Sequence, residues 1–235
     1  MVFPHVITEA QKELDTVIGP HRLPQFTDEP NLPYIRAIIK ETQRFRPVAP
    51  GGFPHATSKD DIYKGYLIPA GTTVFANHYS VHFDAQRHPN PHTFSPERWM
   101  DGNWDLSAAE AAAQKDPARR DHFAYGVGRR ICPGLHVAEG SLFLLVSRVL
   151  WGFEIGKEVD EMGRKIEVDV NAYAGGGLAK PFPFKSRIVP RSEAHAEIMR
   201  REWGQCTSVL GTLGDVDKKQ LDDLDRMYNE IYGSK

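Results

Sequence analysis

The chain has 235 residues, of which 40% are hydrophobic and 26% charged, a balance typical of a globular protein and not of a disordered or fibrous one. A net charge of -2 gives no electrostatic reason to expect a nucleic-acid partner, and two cysteines are too few for a disulfide framework. No apolar run reaches the roughly 18 residues that span a bilayer, because the best attempt, LFLLVSRVLWGF, is interrupted by Ser147 and Arg148.

Two helices are predicted in the first third of the chain. Apolar residues recur at a helical spacing over residues 4–18, and Gly19-Pro20 is expected to end that helix. A second helix is predicted over residues 31–45, with Asn31 as its N-cap.

Short strands and further helices are predicted in the rest of the chain. Strands are expected at 61–77, joined at 64–65 and 69–71, and at 153–189, broken by the glycines at 175–177. Helices are expected within SAAEAAAQ at 107–114, over 134–151, and from about residue 192, with an amphipathic tail helix carrying Leu221, Leu224, Tyr228 and Ile231. The sequence therefore predicts a mainly helical fold with small β-sheets, of the α+β class.

The stretch HFAYGVGRRICPG surrounds Cys132 with three glycines, two arginines and a proline. Pro133 suits the first position of a helix, so the loop is expected to run directly into the helix over 134–151. Unpaired N–H groups and the positive helix end would then lie near the sulfur and favour a thiolate. A thiolate in such a loop, with glycines that let a flat ligand approach, suits a haem iron.

Other uses of a single cysteine fit these residues less well. A zinc site needs a second ligand at close spacing, as in C-x-x-C, and the sequence has none. His122 or His136 could nominally partner a protease-type thiol, but GVG before the cysteine and PG after it build no obvious oxyanion site. Ile131 stands where the dinucleotide pattern G-x-G-x-x-G needs a glycine.

A weaker candidate metal site involves four histidines. His78 and His82 are four residues apart and would share a face if helical, with His88 and His92 nearby. The stretch lacks the acidic residue of H-E-x-x-H, which argues against this reading.

The ten residues YGVGRRICPG resemble the haem-binding loop F-x-x-G-x-R-x-C-x-G of the cytochrome P450 family. The resemblance implies that Cys132 is the proximal thiolate ligand of haem b and that Arg130 pairs with a haem propionate. It also implies that Gly128 and Gly134 allow close packing against the macrocycle. Tyr125 stands where the family usually has phenylalanine, so its ring would shield the sulfur while its hydroxyl needs a partner.

Two further motifs resemble the same family. Glu41 and Arg44 form an E-x-x-R pair on the second predicted helix, and FSPERW resembles the family's P-E-R-F segment. By this resemblance Arg98 completes a Glu41–Arg44–Arg98 ion cluster, which is structural and takes no part in the chemistry. The order of these motifs along the chain is also that of the family.

Segments outside these motifs add, by the same resemblance, a haem contact and parts of a substrate pocket. His55 matches a position that often hydrogen-bonds a haem propionate; the alternative is a solvated loop histidine. Residues 48–53, VAPGGF, would run beside the substrate pocket, and residues 176–178, GGL, would form the tip of a second pocket-lining hairpin.

The resemblance covers residues 4–203, which correspond to the carboxyl-terminal half of a family member. It predicts one domain over residues 1–203 and an unassigned helical tail over 204–235. The sequence contains no A-G-x-[DE]-T-[TS] pattern, which in the family marks the helix that delivers protons to bound oxygen. We therefore do not expect this chain alone to hydroxylate a substrate.

The implied function is that of a haem-thiolate monooxygenase, which inserts one oxygen atom from O2 into a small lipophilic substrate. Electrons would come from NADPH through a reductase-type flavoprotein. The alternatives are a non-catalytic haem-binding fragment or incomplete gene product, and a haem-thiolate isomerase or dehydratase. Family members in eukaryotes are usually anchored in the endoplasmic reticulum; as written, without an anchor, the chain is expected in the cytoplasm.

Overall fold

The computed structural model describes residues 1–101, 106–174 and 176–212. One compact unit comprises Met1–Arg191, and a second begins at Ser192. The α-helices of the first unit are α1 (Pro4–Val17), α2 (Pro33–Phe45), α3 (His78–His82), α4 (Ala108–Ala112) and α5 (Leu135–Gly152). Its strands are β1 (His55–Ala56), β2 (Asp61–Tyr63), β3 (Tyr66–Ile68), β4 (Thr73–Val74), β5 (Phe153–Lys157), β6 (Tyr173–Ala174), β7 (Lys180–Pro181) and β8 (Ser186–Pro190). Short 3-10 helices occur at Phe26–Asn31, Pro96–Trp99, Pro117–Arg119 and Gly128–Arg130.

The core of the first unit lies where α1, α2 and α5 pack against one another. Burying a Leu, Ile or Phe side chain stabilises a protein by about 1.5–3 kcal/mol. The inward faces of these helices bury several apolar side chains, namely Ala10, Leu14, Ile35, Phe143, Leu150 and Trp151. Polar contacts fix the ends of this packing. The Gln11 amide donates to the carbonyls of Leu150 and Phe153, at 3.2 and 3.1 Å.

The first two helices are close to the predicted ones, with one correction at the start of α2. Leu32 is its N-cap and Pro33 its first residue, whereas Asn31 ends the preceding 3-10 helix. The expectation that Asn31 caps α2 is therefore wrong. Pro33 determines the boundary, since its fixed φ and missing N–H suit the first helical position.

The strands form four two-stranded antiparallel sheets within the described residues, pairing β1 with β4, β2 with β3, β5 with β8, and β6 with β7. The turn predicted between β2 and β3 is present at Lys64 and Gly65, whose φ values of 50° and 83° are both positive, as a tight hairpin requires. Strand β1 was not predicted. Its two residues show no alternating pattern and become a strand only by pairing with β4.

Helix α5 corrects the expectation that no segment of this chain is long and apolar enough to span a bilayer. By length and composition alone, Leu135–Gly152 is long and apolar enough to cross a membrane. Its buried residues include Phe143 and Trp151, and it packs against α1 and α2, as a core helix of a globular protein does. It also exposes apolar side chains, with Val137 at 75% and Leu145 at 61% of their accessible surface.

The second unit contains α6 (Glu193–Thr212). Ser192 precedes it, with its hydroxyl 2.7 Å from Nδ1 of His195. Helix α6 is continuous across residues 203 and 204, where the sequence predicts the end of the domain. The division into a domain over residues 1–203 and a tail over 204–235 stays a prediction. The tail helix predicted around Leu221 lies outside the described residues.

Candidate functional site

Two backbone hydrogen bonds close the loop that ends at Cys132. The Cys132 N–H donates to the Tyr125 carbonyl at 2.9 Å, and the Ile131 N–H donates to the Gly128 carbonyl at 3.1 Å. This closure needs two residues in the left-handed region, Gly126 with φ 76° and Gly128 with φ 68°. A side chain there would cost roughly 1–2 kcal/mol. Two of the three glycines around the cysteine are thus explained by the turn itself.

The Cys132 thiol is free and partly exposed. A Cβ at Gly134 would stand 3.9 Å from the sulfur, in ordinary contact, so the glycine leaves that side of the sulfur open. Helix α5 begins at Leu135 with Gly134 as its N-cap, so Pro133 precedes the cap. The expectation that Pro133 is the first helical residue is wrong. Gly134, with φ -88° and ψ 7°, has not yet entered the helix.

The hydroxyl of Tyr125 has the partner that its position requires. The side-chain amide of Gln43, on α2, donates to the Tyr125 oxygen at 2.5 Å. Burial raises the pKa of this hydroxyl by more than the Gln43 hydrogen bond lowers it, and the nearby Glu139 also raises it, so the phenol stays neutral. Gln43 was not identified from the sequence, because nothing in an E-T-Q-R run indicates a partner 82 residues away.

Two buried histidines hold the start of the loop. The Phe123 N–H donates to Nε2 of His82 at 2.7 Å, and the Ala124 N–H donates to Nδ1 of His122 at 3.3 Å. Both rings must be neutral to accept these bonds. Burial, followed by neighbouring positive groups, lowers the pKa of His82 and of His122 to about 3, which keeps them neutral.

The ion cluster expected from the family resemblance is present in the structure. Arg44 donates to both carboxylate oxygens of Glu41, at 2.9 and 2.8 Å, and neither side chain has exposed surface. Arg98 approaches the same carboxylate through Nε at 3.1 Å, and 11% of its side chain is exposed. Arg44 also donates to the carbonyls of His82 and Pro91, each at 2.9 Å. The cluster thereby ties α2 to the segment that precedes the cysteine loop.

Glu41 has further donors that the sequence reasoning missed. The Trp99 indole N–H and the Ser95 backbone N–H each lie 2.9 Å from the carboxylate. The signal for Trp99 was available, since it directly follows Arg98 in PERW. The buried ion pair between Lys40 and Asp121, at 2.7 Å, had no comparable signal.

The segments expected to line a pocket lie side by side. Residues 176–178 sit between β6 and β7, which pair as a hairpin, and the Ala179 N–H donates to the Val48 carbonyl at 2.7 Å. Val48, Phe53 and Leu178 are all largely exposed, at 64, 66 and 58%. The two segments therefore present apolar side chains along a shared edge.

The histidine metal site considered from the sequence is not supported. His78 and His82 do lie on one short helix, with ring centroids 6.2 Å apart. Within the residues described, no group of three or more His, Cys, Asp or Glu side chains is arranged to hold a metal ion. His78 instead contacts the Ala49 carbonyl through Nδ1 at 3.1 Å.

The residues present fit a haem. Cys132 offers one accessible thiol, and Gly134 leaves the side of the sulfur open. Arg130 and His55 are both exposed. Neither side chain has a hydrogen bond or an ion pair within the described ranges, so both are available for negatively charged propionates.

Comparison with known proteins identifies the family. The sequence profile of the cytochrome P450 family matches residues 1–169. The chain is 46% identical over 216 residues to the cytochrome P450 monooxygenase virE of Hypocrea virens, covering 92% of this chain and 38% of virE. It is 46% identical over 208 residues to yanC of Aspergillus niger, covering 87% and 38%. It is 47% identical over 213 residues to polD of Polytolypa hystricis, covering 91% and 40%.

This chain thus spans about two-fifths of the length of these relatives. The matched part contains the E-x-x-R helix and the cysteine loop, whose geometry is described above. With its mainly helical fold and small sheets, the chain belongs to the cytochrome P450 family.

Proposed function

We propose that this chain forms the proximal, haem-binding part of a haem-thiolate monooxygenase. The observation that carries the proposal is the loop at Cys132, which holds a free, partly exposed thiol beside two glycine turns and directly before α5. Cys132 would ligate the iron of haem b. Arg130 and His55 would pair with the propionates, while Gly128 and Gly134 would allow close packing of the flat macrocycle.

When bound, a thiolate-ligated haem supplies the chemistry that activates O2 and transfers one oxygen atom to an organic substrate. The chain's own residues would hold that group in place. The Tyr125 carbonyl fixes the Cys132 backbone, and the tyrosine ring, which is half-buried, would shield the sulfur from water. The Glu41 cluster anchors the preceding segment to α2.

The proposed substrate is a small lipophilic molecule. The edge formed by residues 48–53 and 176–178 supports this class, because its exposed side chains are apolar. Contact with them would stabilise the bound substrate by about 25 cal/mol for each Å² of apolar surface removed from water. Phe53 and Leu178 would be the residues to vary in a search for altered substrate preference.

The proposed electron donor is a flavoprotein of the NADPH–cytochrome P450 reductase type. Arg119, just before the cysteine loop, and Arg129, within it, are both exposed, and Arg120 is partly exposed. A positive rim of this kind favours a negatively charged partner surface. We place the complete protein at the endoplasmic reticulum, as is usual for the family in eukaryotes.

A chimera tests the proposal. The part of virE that precedes its match to this chain would be joined to residues 1–235, and the product expressed with haem precursor and a flavoprotein reductase. We expect one haem per chain and NADPH oxidation that responds to lipophilic ligands. The 235-residue chain alone is expected to bind haem without forming product.

Two results would contradict the proposal. A chimera that folds but binds no haem would remove the haem-thiolate assignment. One that binds haem but oxidises no NADPH would favour a non-catalytic haem-binding protein.

A further inference from the structure

A two-step connection joins α2 to the backbone of Cys132. Gln43 on α2 donates from its amide to the Tyr125 hydroxyl at 2.5 Å, and the Tyr125 carbonyl accepts the Cys132 N–H at 2.9 Å. One tyrosine therefore contacts the helix with its side chain and the cysteine with its backbone. The same helix carries Glu41 and Arg44, whose cluster fixes the segment that leads into the loop.

The connection depends on the tyrosine that replaces the phenylalanine of the family pattern. A buried hydroxyl without a partner costs about 1–3 kcal/mol. Tyr125 is half-buried beside Phe143, Glu139 and His122, and Gln43 supplies the donor. Because Gln43 is itself only half-buried, its amide can turn to solvent if the hydroxyl is removed.

We propose that Gln43 is a positioning residue for Cys132, acting through the side chain and carbonyl of Tyr125. The proposal rests on the role of Cys132 put forward above. The Gln43–Tyr125 bond limits the movement of the loop relative to α2. It thereby holds the sulfur at a fixed position relative to α2.

The physical asymmetry of a hydrogen bond gives the test its direction. Removing one partner leaves the other unsatisfied, whereas removing both can be nearly neutral. Gln43→Leu leaves the Tyr125 hydroxyl without its donor, so it should disturb the loop most. Tyr125→Phe should disturb it less, and the double variant should behave like Tyr125→Phe alone.

A matched control separates positioning from general loss of stability. Gln11 is a buried glutamine away from the loop, and its amide donates to the carbonyls of Leu150 and Phe153 at the far end of α5. Gln11→Leu removes comparable hydrogen bonds but none that reaches the cysteine loop. Any effect on Cys132 that it shares with Gln43→Leu reflects stability and not positioning.

The first readout needs no haem. In a Cys206→Ser background, the rate of alkylation of Cys132 by iodoacetamide is measured at one pH for the full 235-residue chain. We expect Gln43→Leu to raise the rate about fivefold, the factor that one neutral hydrogen bond provides. The double variant should return to within about twofold of the starting chain, and Gln11→Leu should leave the rate unchanged.

The second readout is spectroscopic, on the haem-loaded chain. The fraction of the reduced carbon-monoxide adduct that shows the red-shifted Soret band of a thiolate complex should fall in Gln43→Leu and recover in the double variant. If no variant shows that band, including the unsubstituted chain, the proposed function fails while the alkylation series still decides the role of Gln43. Equal alkylation rates for Gln43→Leu and Gln11→Leu, or a double variant no better than Gln43→Leu, would overturn the positioning role.

Discussion

Arg44 binds Glu41 through two parallel contacts, Nε to Oε2 at 2.9 Å and Nη2 to Oε1 at 2.8 Å, with both side chains fully buried. The two residues are three positions apart on α2, and such a pair on a helix surface contributes well under ~1 kcal/mol. Here the pair is inside the protein, and Arg98, Trp99 and Ser95 supply three more donors to the carboxylate. The buried Glu41 carboxylate is therefore fully compensated only when all of these donors are present.

Arg44→Ala should therefore destabilise the first unit strongly. It leaves the Glu41 carboxylate short of a charge partner and removes donors to the carbonyls of His82 and Pro91. Breaking a buried pair in this way costs about 3–5 kcal/mol. The measurement is the midpoint of urea unfolding, together with soluble yield. Arg201→Ala is the control, since Arg201 pairs with Glu202 at an exposed site; equal midpoints for the two variants would contradict a buried cluster.

Gly52→Ala should disrupt the segment that is expected to run beside the substrate. Gly52 has φ 64°, and a Cβ there would lie 2.7 Å from the Ala76 carbonyl oxygen and 3.3 Å from the His78 ring. The backbone alone costs about 1–2 kcal/mol for a side chain in this region. The neighbouring Gly51 has nothing within 4 Å of its own Cβ position. Thermal unfolding should show a clear loss for Gly52→Ala and almost none for Gly51→Ala, and similar melting temperatures would refute this packing.

Three buried histidines should make the fold sensitive to mild acid. Burial is the main cause that lowers the pKa of His82, His88 and His122 to about 3, and the nearby positive side chains Arg44 and Lys40 add to it. Below pH ~6.5 the unfolded chain takes up protons at these sites and the folded chain does not. The contribution of these neutral rings to the free energy of unfolding is therefore fully present above pH ~6.5. It is lost as the pH falls towards 3, by about 1.4 kcal/mol per pH unit for each histidine.

Urea unfolding at pH 7.5, 6.5 and 5.5 checks this dependence. His82→Gln should lower stability at every pH but reduce the slope below pH 6.5 by about one proton. Asp121 and Glu139, whose pKa values burial raises, act in the opposite direction, and the comparison with the unsubstituted chain cancels them. An unchanged slope in His82→Gln would show that this ring is not held neutral by the fold.

The sequence predicted what depends on short-range pattern or on a shared motif. The spacing of apolar residues located α1, flanking cap and proline residues indicated α2, and a strongly apolar composition indicated α5. The E-x-x-R and P-E-R motifs located the members of the Glu41 cluster. Turn residues placed the hairpin at Lys64-Gly65.

What the sequence did not predict depends on distant parts of the chain meeting. Gln43 and Tyr125 are 82 residues apart, and nothing local distinguishes this glutamine from a surface residue. The same holds for the ion pair of Lys40 with Asp121, and for β1, which exists only because β4 lies beside it. Asn31 has the right chemistry for a helix cap, but Pro33 starts the helix two residues later.

The most direct test of the central claim is the carbon-monoxide spectrum of the reduced, haem-loaded chain. It would be recorded for the unsubstituted protein, for Cys132→Ser and for Cys206→Ser, the last being the control for loss of a cysteine elsewhere. If Cys132 ligates the iron, the strongly red-shifted Soret band is present in the unsubstituted chain and in Cys206→Ser and is lost in Cys132→Ser. The band persisting in Cys132→Ser, or disappearing only in Cys206→Ser, would contradict the assignment of Cys132 as the thiolate ligand.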